Sequence, residues 1–259
     1  MEYQTLLVET GEDHVGSITL NRPGHMNTFN TTMARELVAA LLFLDADPET
    51  RVIVLKGAGK AFCAGIDITE FEGKTPTEYK AWVEEMENGL VTMMSLGKPV
   101  ITLVRGVAAA NGAGLIAASD LTVASENARI GFTAINVGLF CLGPAVPLIR
   151  AVGRKQALEL LYFGDLITVE KAKEMGLVNV IAPRDELEKI GLEYARALAA
   201  KSPAALRAGK QACHRILDME LHQAFDYMNE AFARLCTTAD AREGVAAFLE
   251  KRRPEWTGR

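Results

Sequence analysis

The chain has 259 residues, 49% hydrophobic and 24% charged, which is ordinary globular composition. With 28 Lys+Arg against 33 Asp+Glu the formal net charge is −5, so the basic footprint of a nucleic-acid-binding domain is excluded. Collagen, disulfide scaffolds and disordered tails are excluded by composition, and no run of about 18 uncharged apolar residues is present to span a membrane.

In chain order, residues 3–9 and 13–20 read as two strands joined through Gly11-Glu12 in a hairpin. Arg22-Pro23-Gly24-His25-Met26-Asn27 is a loop punctuated by Pro and Gly. Asn30 can cap a helix to about Ala46, with Met33, Leu37, Leu41 and Leu44 at helical spacing. Val52-Ile53-Val54-Leu55 is a continuous apolar run, the pattern of a strand covered on both faces. Pro76 and Thr77 start a second helix that ends near Leu96-Gly97. A second buried strand at 99–104 is followed by the small-residue stretch Ala108-Ala109-Ala110-Asn111-Gly112-Ala113-Gly114 and a short helix to Ser119. Leu121-Thr122-Val123-Ala124 is a third strand, and helices follow at about 144–151, 153–163 and 168–175. Val178-Asn179-Val180-Ile181 is a last short strand.

After Pro183 the pattern is helical throughout, at about 184–200, 203–216, 218–236 and 239–250. Strands alternating with helices and then a helical tail predict an α/β fold. The division expected is a core over 1–200 and a helical region over 201–259. Leu221, Phe225, Met228, Phe232 and Leu235 form one apolar stripe, more than so small a region can bury, which predicts self-association.

Met1-Glu2-Tyr3-Gln4 has neither a basic n-region nor an apolar core, and nothing like an Arg/Ser-rich leader, so a cytoplasmic location is expected. Cys63, Cys141, Cys213 and Cys236 are dispersed and form no C-x-x-C, which reads as reduced thiols. His14, His25, His214 and His222 form no H-E-x-x-H, and no metal site is expected.

Two loops carry the features from which chemistry could be built. One is Lys60-Ala61-Phe62-Cys63-Ala64-Gly65-Ile66-Asp67-Ile68, and the other is the stretch 108–114. Both put Gly and Ala at strand ends, where backbone can approach a ligand closely. Asn111-Gly112 would open a helix, and free N–H groups there favour developing negative charge. Two such sites facing each other make an oxyanion hole. Taken alone, small-residue turns read first as tight packing between sheet and helix.

Longer motifs bear on that choice. Leu20-Asn21-Arg22-Pro23 with Met26-Asn27 resembles an L-N-R-P-x-x-x-N opening. Ala61-Phe62-Cys63-Ala64-Gly65-Ile66-Asp67-Ile68 resembles A-F-[SCA]-A-G-x-D-[LI]. Lys98-Pro99-Val100-Ile101, Gly106 and Ser119-Asp120 follow in order, and Glu243-Gly244-Val245-Ala246-Ala247-Phe248-Leu249-Glu250-Lys251-Arg252-Arg253-Pro254 resembles a closing E-G-x-x-A-F-x-E-K-R-x-P. This ordered set, spanning residues 6 to 256, resembles the crotonase (enoyl-CoA hydratase/isomerase) superfamily.

The resemblance implies a spiral of ββα units with a helical C-terminal trimerisation region, assembled as a trimer or a dimer of trimers (a hexamer). It implies an acyl-CoA thioester ligand, a place in fatty acid metabolism, and no cofactor beyond the CoA of the substrate. The oxyanion hole it implies is the backbone N–H of Ile66 with that of Asn111. For the CoA phosphates the candidates are Arg22, His25, Lys56, Lys60 and the Lys251-Arg252-Arg253 run. His25, between Gly24 and Met26, and Lys60 are preferred, with Lys251 reaching over from a neighbouring subunit. The adenine would lie near Ala61 and Ala64. The other binding positions implied are Gly65, Asp67, Ile68, Gly112, Gly114 and Ala134.

Two positions depart from the resemblance. It implies glutamates in a G-G-G-x-E pattern and in an F-x-x-P-E segment. Here they read Asn111-Gly112-Ala113-Gly114 and Ile130-Gly131-Phe132-Thr133-Ala134, so Gly114 and Ala134 stand where carboxylates would. A positioned acid or base contributes roughly 10²–10⁴-fold, so slow hydration of 2-enoyl-CoA is predicted. The losses, with Asn136-Val137-Gly138-Leu139-Phe140-Cys141, resemble a divergent subgroup of hydratase-domain-containing proteins. Cys141 is the nearby side chain with transferable chemistry, although a free Cys is more often packing. Asp67 reads as structural, and Asp120 as a turn or cap residue. Two readings stand: a lyase, isomerase or hydrolase acting on acyl-CoA, and a non-catalytic fatty acyl-CoA binding protein.

Overall fold

A computed structural model of the chain describes residues 2–259. β1 (Leu6–Thr10) and β2 (Val15–Leu20) form the expected antiparallel hairpin, with Leu6 opposite Leu20 and Thr10 opposite Gly16. β2, β3 (Val52–Gly57), β4 (Val100–Val104), β6 (Leu121–Ser125) and β9 (Val180–Ala182) then run parallel. The sheet order is β1-β2-β3-β4-β6-β9. A second sheet is made of β5 (Val107–Ala109), β7 (Arg129–Gly131) and β8 (Ile167–Thr168), in the order β5-β7-β8. The units repeat: β4 gives way to β5 and then α3 (Asn111–Ala118), and β6 gives way to β7. Residues after β3 follow the same plan in reduced form, since Cys63 makes an isolated parallel bridge to Ala108.

The apolar run of β3 is explained by its two covers. Ile53 and Leu55 belong to one core with Met33, Leu37, Leu41 and Leu44 of α1 (Thr31–Ala46) and Met86 and Leu90 of α2 (Pro76–Ser95). Val52 and Val54 belong to the other, with Leu187, Ala195 and Ala199 of α7 (Leu187–Ala199). Alternate side chains go to opposite faces, and full burial of each contributes about 1.5–3 kcal/mol. Both helices start where the sequence indicates. The Asn30 carboxamide accepts from Met33 N at 2.9 Å, and Thr75 with Glu78 forms a capping box ahead of Pro76. Gly89 of α2 lies against Leu37, where a Cβ would come within 2.9 Å of its methyl, so α1 and α2 approach closely.

Three differences from the sequence reading matter. β5, β7 and β8 have two or three residues each, too short for any alternation to show. α7 lies inside the helical stretch after Pro183 yet covers the main sheet, so the change in pattern there is not a change of layer. α4 (Leu142–Val152) begins two residues before the expected start at 144. That leaves the Gly143 N–H in a first helical turn, without an intrahelical acceptor.

α5 (Arg154–Phe163) and α6 (Val169–Glu174) follow, and the C-terminal part is α8 (Pro203–Ile216), α9 (Leu221–Cys236) and α10 (Ala239–Glu250). No residue of α9 is buried, and Leu221, Phe225 and Phe232 are 69%, 62% and 67% exposed. Among the described residues no helix is long and apolar enough to cross a membrane, and no cluster of three His, Cys, Asp or Glu could hold a metal.

Candidate active site

The loop after β3 is pinned by one buried carboxamide. Asn27 Nδ2 donates to Ala58 O, Ala61 O and Phe62 O at 2.9–3.1 Å, and its Oδ1 accepts from Arg22 N at 2.9 Å. Asn27 holds φ +54°, a conformation Asn tolerates better than most residues. Phe29 N donates to Gly65 O at 2.8 Å and Asp67 N to Phe29 O at 2.7 Å, which fixes the peptides on either side of Ile66. Gly65 has φ +109°, and a Cβ there would stand 3.1 Å from the Ala110 methyl. Glycine therefore answers two needs at once, the left-handed backbone and the close approach of the second loop.

The second loop is tied to the first by Phe62 N to Val107 O at 3.0 Å and Ala109 N to Cys63 O at 2.9 Å. A Cβ at Gly112 would fall on the Cys63 carbonyl, so the two loops meet backbone to backbone. Ala110 turns the chain from β5 into α3 with φ +48° and ψ −113°. A non-glycine residue in such a region costs on the order of 1–3 kcal/mol, strain of the kind found at functional sites. Among the described residues, neither the Ile66 N–H nor the Asn111 N–H has a hydrogen-bond acceptor. Both residues line the same cavity of about 430 Å³.

Most of the cavity lining is apolar. Ala64, Gly65, Ile68 and Ala134 contribute to it, as do Phe71, Trp82, Val83 and Phe140. The Trp82 indole N–H is buried and has no acceptor among the described residues. Cys141 lines the cavity from the cap position of α4, and burial pushes its thiol up, so it stays neutral at neutral pH. Ala134 sits in the short 3₁₀ turn Thr133–Val137. Gly114 is not part of the lining: a Cβ there would stand 3.0 Å from the Pro144 ring, which forms the wall in front of it.

The lining residues that escaped the sequence reading include Phe71, Trp82 and Val83 and one carboxylate. Glu87 of α2 places its carboxylate in the cavity, where it accepts from the Gly143 N–H. Burial pushes its pKa up from the usual glutamate range, and the Gly143 hydrogen bond opposes that without cancelling it. The other acids of α2 are engaged: Glu78 with Thr75, Glu84 with Lys80, Glu85 with Arg35. Glu87 forms no ion pair among the described residues. The available signal was its place beside Trp82, Val83, Met86 and Leu90, at the border of the apolar face of α2.

The cations divide into committed and free groups. Arg22, a phosphate candidate by sequence, is committed to Asp67 at 2.9 Å and to Thr28 O. Burial pushes the Asp67 carboxyl up, but its hydrogen bonds from Thr69 and Arg22 outweigh that and hold it below the usual carboxylate range. The pair is a clamp on the loop. Lys56 is likewise paired with Glu188 at 3.1 Å, and Arg252 with Glu243 and Glu250. His25, Lys60 and Lys251 are exposed and outside the cavity lining, as are Gly24 and Met26. The Met26 carbonyl nonetheless accepts from Ala64 N at 3.0 Å, which joins that turn to the cavity wall. Ala61, Asp67 and Gly112 lie behind the lining, buried in the loop framework. Asp120 is more than a turn residue: it accepts from Val100 N at 2.7 Å and Lys210 Nζ at 2.7 Å, which ties α8 to the core.

Over residues 10–259 the chain matches the family model described as enoyl-CoA hydratase/isomerase. A probable enoyl-CoA hydratase of Rhizobium meliloti is 36% identical over 260 residues, covering 100% of each chain. Among solved structures, an enoyl-CoA hydratase of Mycobacterium smegmatis superposes with a TM-score of 0.94 at 37% identity, over 98% of this chain and 99% of that one. Human enoyl-CoA hydratase domain-containing protein 3 superposes with a TM-score of 0.92 at 31% identity, over 98% of this chain and 100% of that one.

Proposed function

The chain belongs to the enoyl-CoA hydratase/isomerase family, and from that premise we propose that it binds acyl-CoA thioesters and polarises their carbonyl with the Ile66 and Asn111 N–H groups. The observation that carries this reading is that two N–H groups without acceptors among the described residues belong to residues lining one apolar cavity. Each such donor is worth about 2.7–4 kcal/mol when negative charge develops on the oxygen it faces. The apolar lining suits the acyl group, and the wall at Ala64, bonded to Met26 O beside the exposed His25 and four residues after the exposed Lys60, suits the CoA portion. The chemistry needs no cofactor beyond the CoA of the substrate.

The reaction class that suits the site is a lyase or isomerase step through an enolate. Hydration of a 2-enoyl-CoA is slow on this reading, because neither Gly114 nor Ala134 can hold and deprotonate water. The same two residues favour a second reading, a non-catalytic acyl-CoA binding protein. The exposed apolar side chains of α9, together with Val245, Phe248 and Leu249 of α10, suit a trimer or a dimer of trimers in the cytoplasm.

Titration calorimetry with butyryl-CoA and longer acyl-CoA tests the reading, with the loss of enoyl absorbance from crotonyl-CoA followed in parallel. Micromolar binding, near −8 kcal/mol, with turnover orders of magnitude below about 10 s⁻¹ is the expected outcome. Absence of heat and of competition among the thioesters contradicts the binding; hydration near 10 s⁻¹ contradicts the assignment of Gly114 and Ala134 as losses.

A further inference from the structure

We infer that Glu87 is the acid–base residue of this cavity, taking a proton from the carbon next to the thioester carbonyl and returning it. The inference rests on the acyl-CoA reading above and names the group that reading lacks. Among the described residues lining the cavity Glu87 is the one carboxylate, and the Cys141 thiol is the one other titratable group. Among the described residues no cation lines the cavity to lock that carboxylate in an ion pair.

Three features place Glu87 for this work. Its carboxylate is held by the Gly143 N–H, made available because α4 starts at Leu142. Position 143 is glycine where it has to be, since a Cβ there would fall on the Glu87 carboxylate. The residue before it is tethered to the donor loop, as Asn111 Nδ2 donates to Met86 O at 3.4 Å. Carboxylate and oxyanion donor are thereby set on one frame. Half-burial moves the group towards the range in which a general base both holds and releases a proton near neutral pH.

The step balances without a co-reactant. A Glu87 oxygen takes the Cα proton, and the C–H electron pair becomes the C=C bond of an enolate. The carbonyl π pair moves onto oxygen, facing the Ile66 and Asn111 N–H groups. Return of a proton from the Glu87 carboxyl to carbon restores the thioester. If that carboxyl exchanges with solvent meanwhile, the carbon acquires deuterium in D2O.

The test is deuterium incorporation at Cα of butyryl-CoA in D2O, read by mass spectrometry, with binding of the same thioester measured by calorimetry. Wild type exchanges, and Glu87→Gln, which keeps an acceptor for Gly143, loses about 10²–10⁴-fold in exchange while its Kd stays within about threefold. Glu87→Asp retains part of the rate. Gly143→Ala leaves the carboxylate chemically intact but displaces it, and it lowers exchange while binding persists. Wild-type binding without exchange, or exchange in Glu87→Gln at the wild-type rate, overturns the inference and leaves the binding reading standing. Absence of acyl-CoA binding overturns the reading beneath it, and the inference with it.

Discussion

On the loop wall of the cavity the polar groups are two backbone N–H groups, fixed by a lattice of hydrogen bonds. Asn27, Phe29, Gly65, Asp67 and Arg22 hold the first loop, and Phe62 to Val107 and Ala109 to Cys63 hold the second against it. On the α2 wall the polar group is a side chain, Glu87, which accepts one N–H from Gly143. The loop wall can vary in side chain and keep its donors. The α2 wall depends on one side chain and on the glycine that leaves room for it. On the proposed reading the difference separates two roles: the loops supply a place where oxygen can carry charge, and the helix supplies the group that moves a proton.

Removing one donor without touching its side chain sharpens this contrast. A backbone ester at residue 66 deletes the Ile66 N–H, and it should cost about 10²–10³-fold in any exchange or turnover. Asn111→Ala keeps its N–H and removes only the bond to Met86 O, so it should cost much less. If Asn111→Ala is the more damaging of the two, the side chain rather than the backbone carries the role on that wall.

A smaller effect concerns stability. Burial raises the Glu87 pKa in the folded state, so folding favours its protonated form. The ionised form therefore costs stability at pH above its folded pKa; the cost fades as pH falls through that raised pKa and is gone below the ordinary glutamate value of ~4.3. Glu87→Gln should melt slightly higher than wild type at neutral pH, with the gap closing on acidification. A variant that melts lower at neutral pH would make Glu87 a structural residue and dissolve the contrast between the two walls.

The contrast also accounts for what the sequence could tell. The two loops stood out because a crowded backbone junction demands small residues, Ala61, Ala64 and Gly65 in one stretch and Ala108 to Gly114 in the other, but those residues alone read as packing, and the motif resemblance is what implied N–H donors there. α1 and β3 were legible for a similar reason: Met33, Leu37, Leu41 and Leu44 repeat at helical spacing, and the Val52–Leu55 run lies between two layers. Glu87 was not, since on a helix with three other glutamates its neighbours in sequence do not distinguish it. Only the tertiary approach of Gly143 does. The partners of Arg22 and Asp120 were hidden for the same reason, because Asp67 and Lys210 are 45 and 90 residues away. The short strands β5, β7 and β8 owe their form to pairing across the small sheet rather than to any local pattern.

The central claim is that the Ile66 and Asn111 N–H groups bind the thioester oxygen while Glu87 acts on carbon. Isotope-edited infrared spectroscopy of bound butyryl-CoA, labelled with ¹³C at the carbonyl, reads the first half directly and separates it from the second. The carbonyl stretch should move to lower frequency on binding to wild type, and most of that shift should persist in Glu87→Gln and be lost with the backbone ester at residue 66. A bound carbonyl at its solution frequency, or a shift abolished by Glu87→Gln and kept by the ester, would contradict the account.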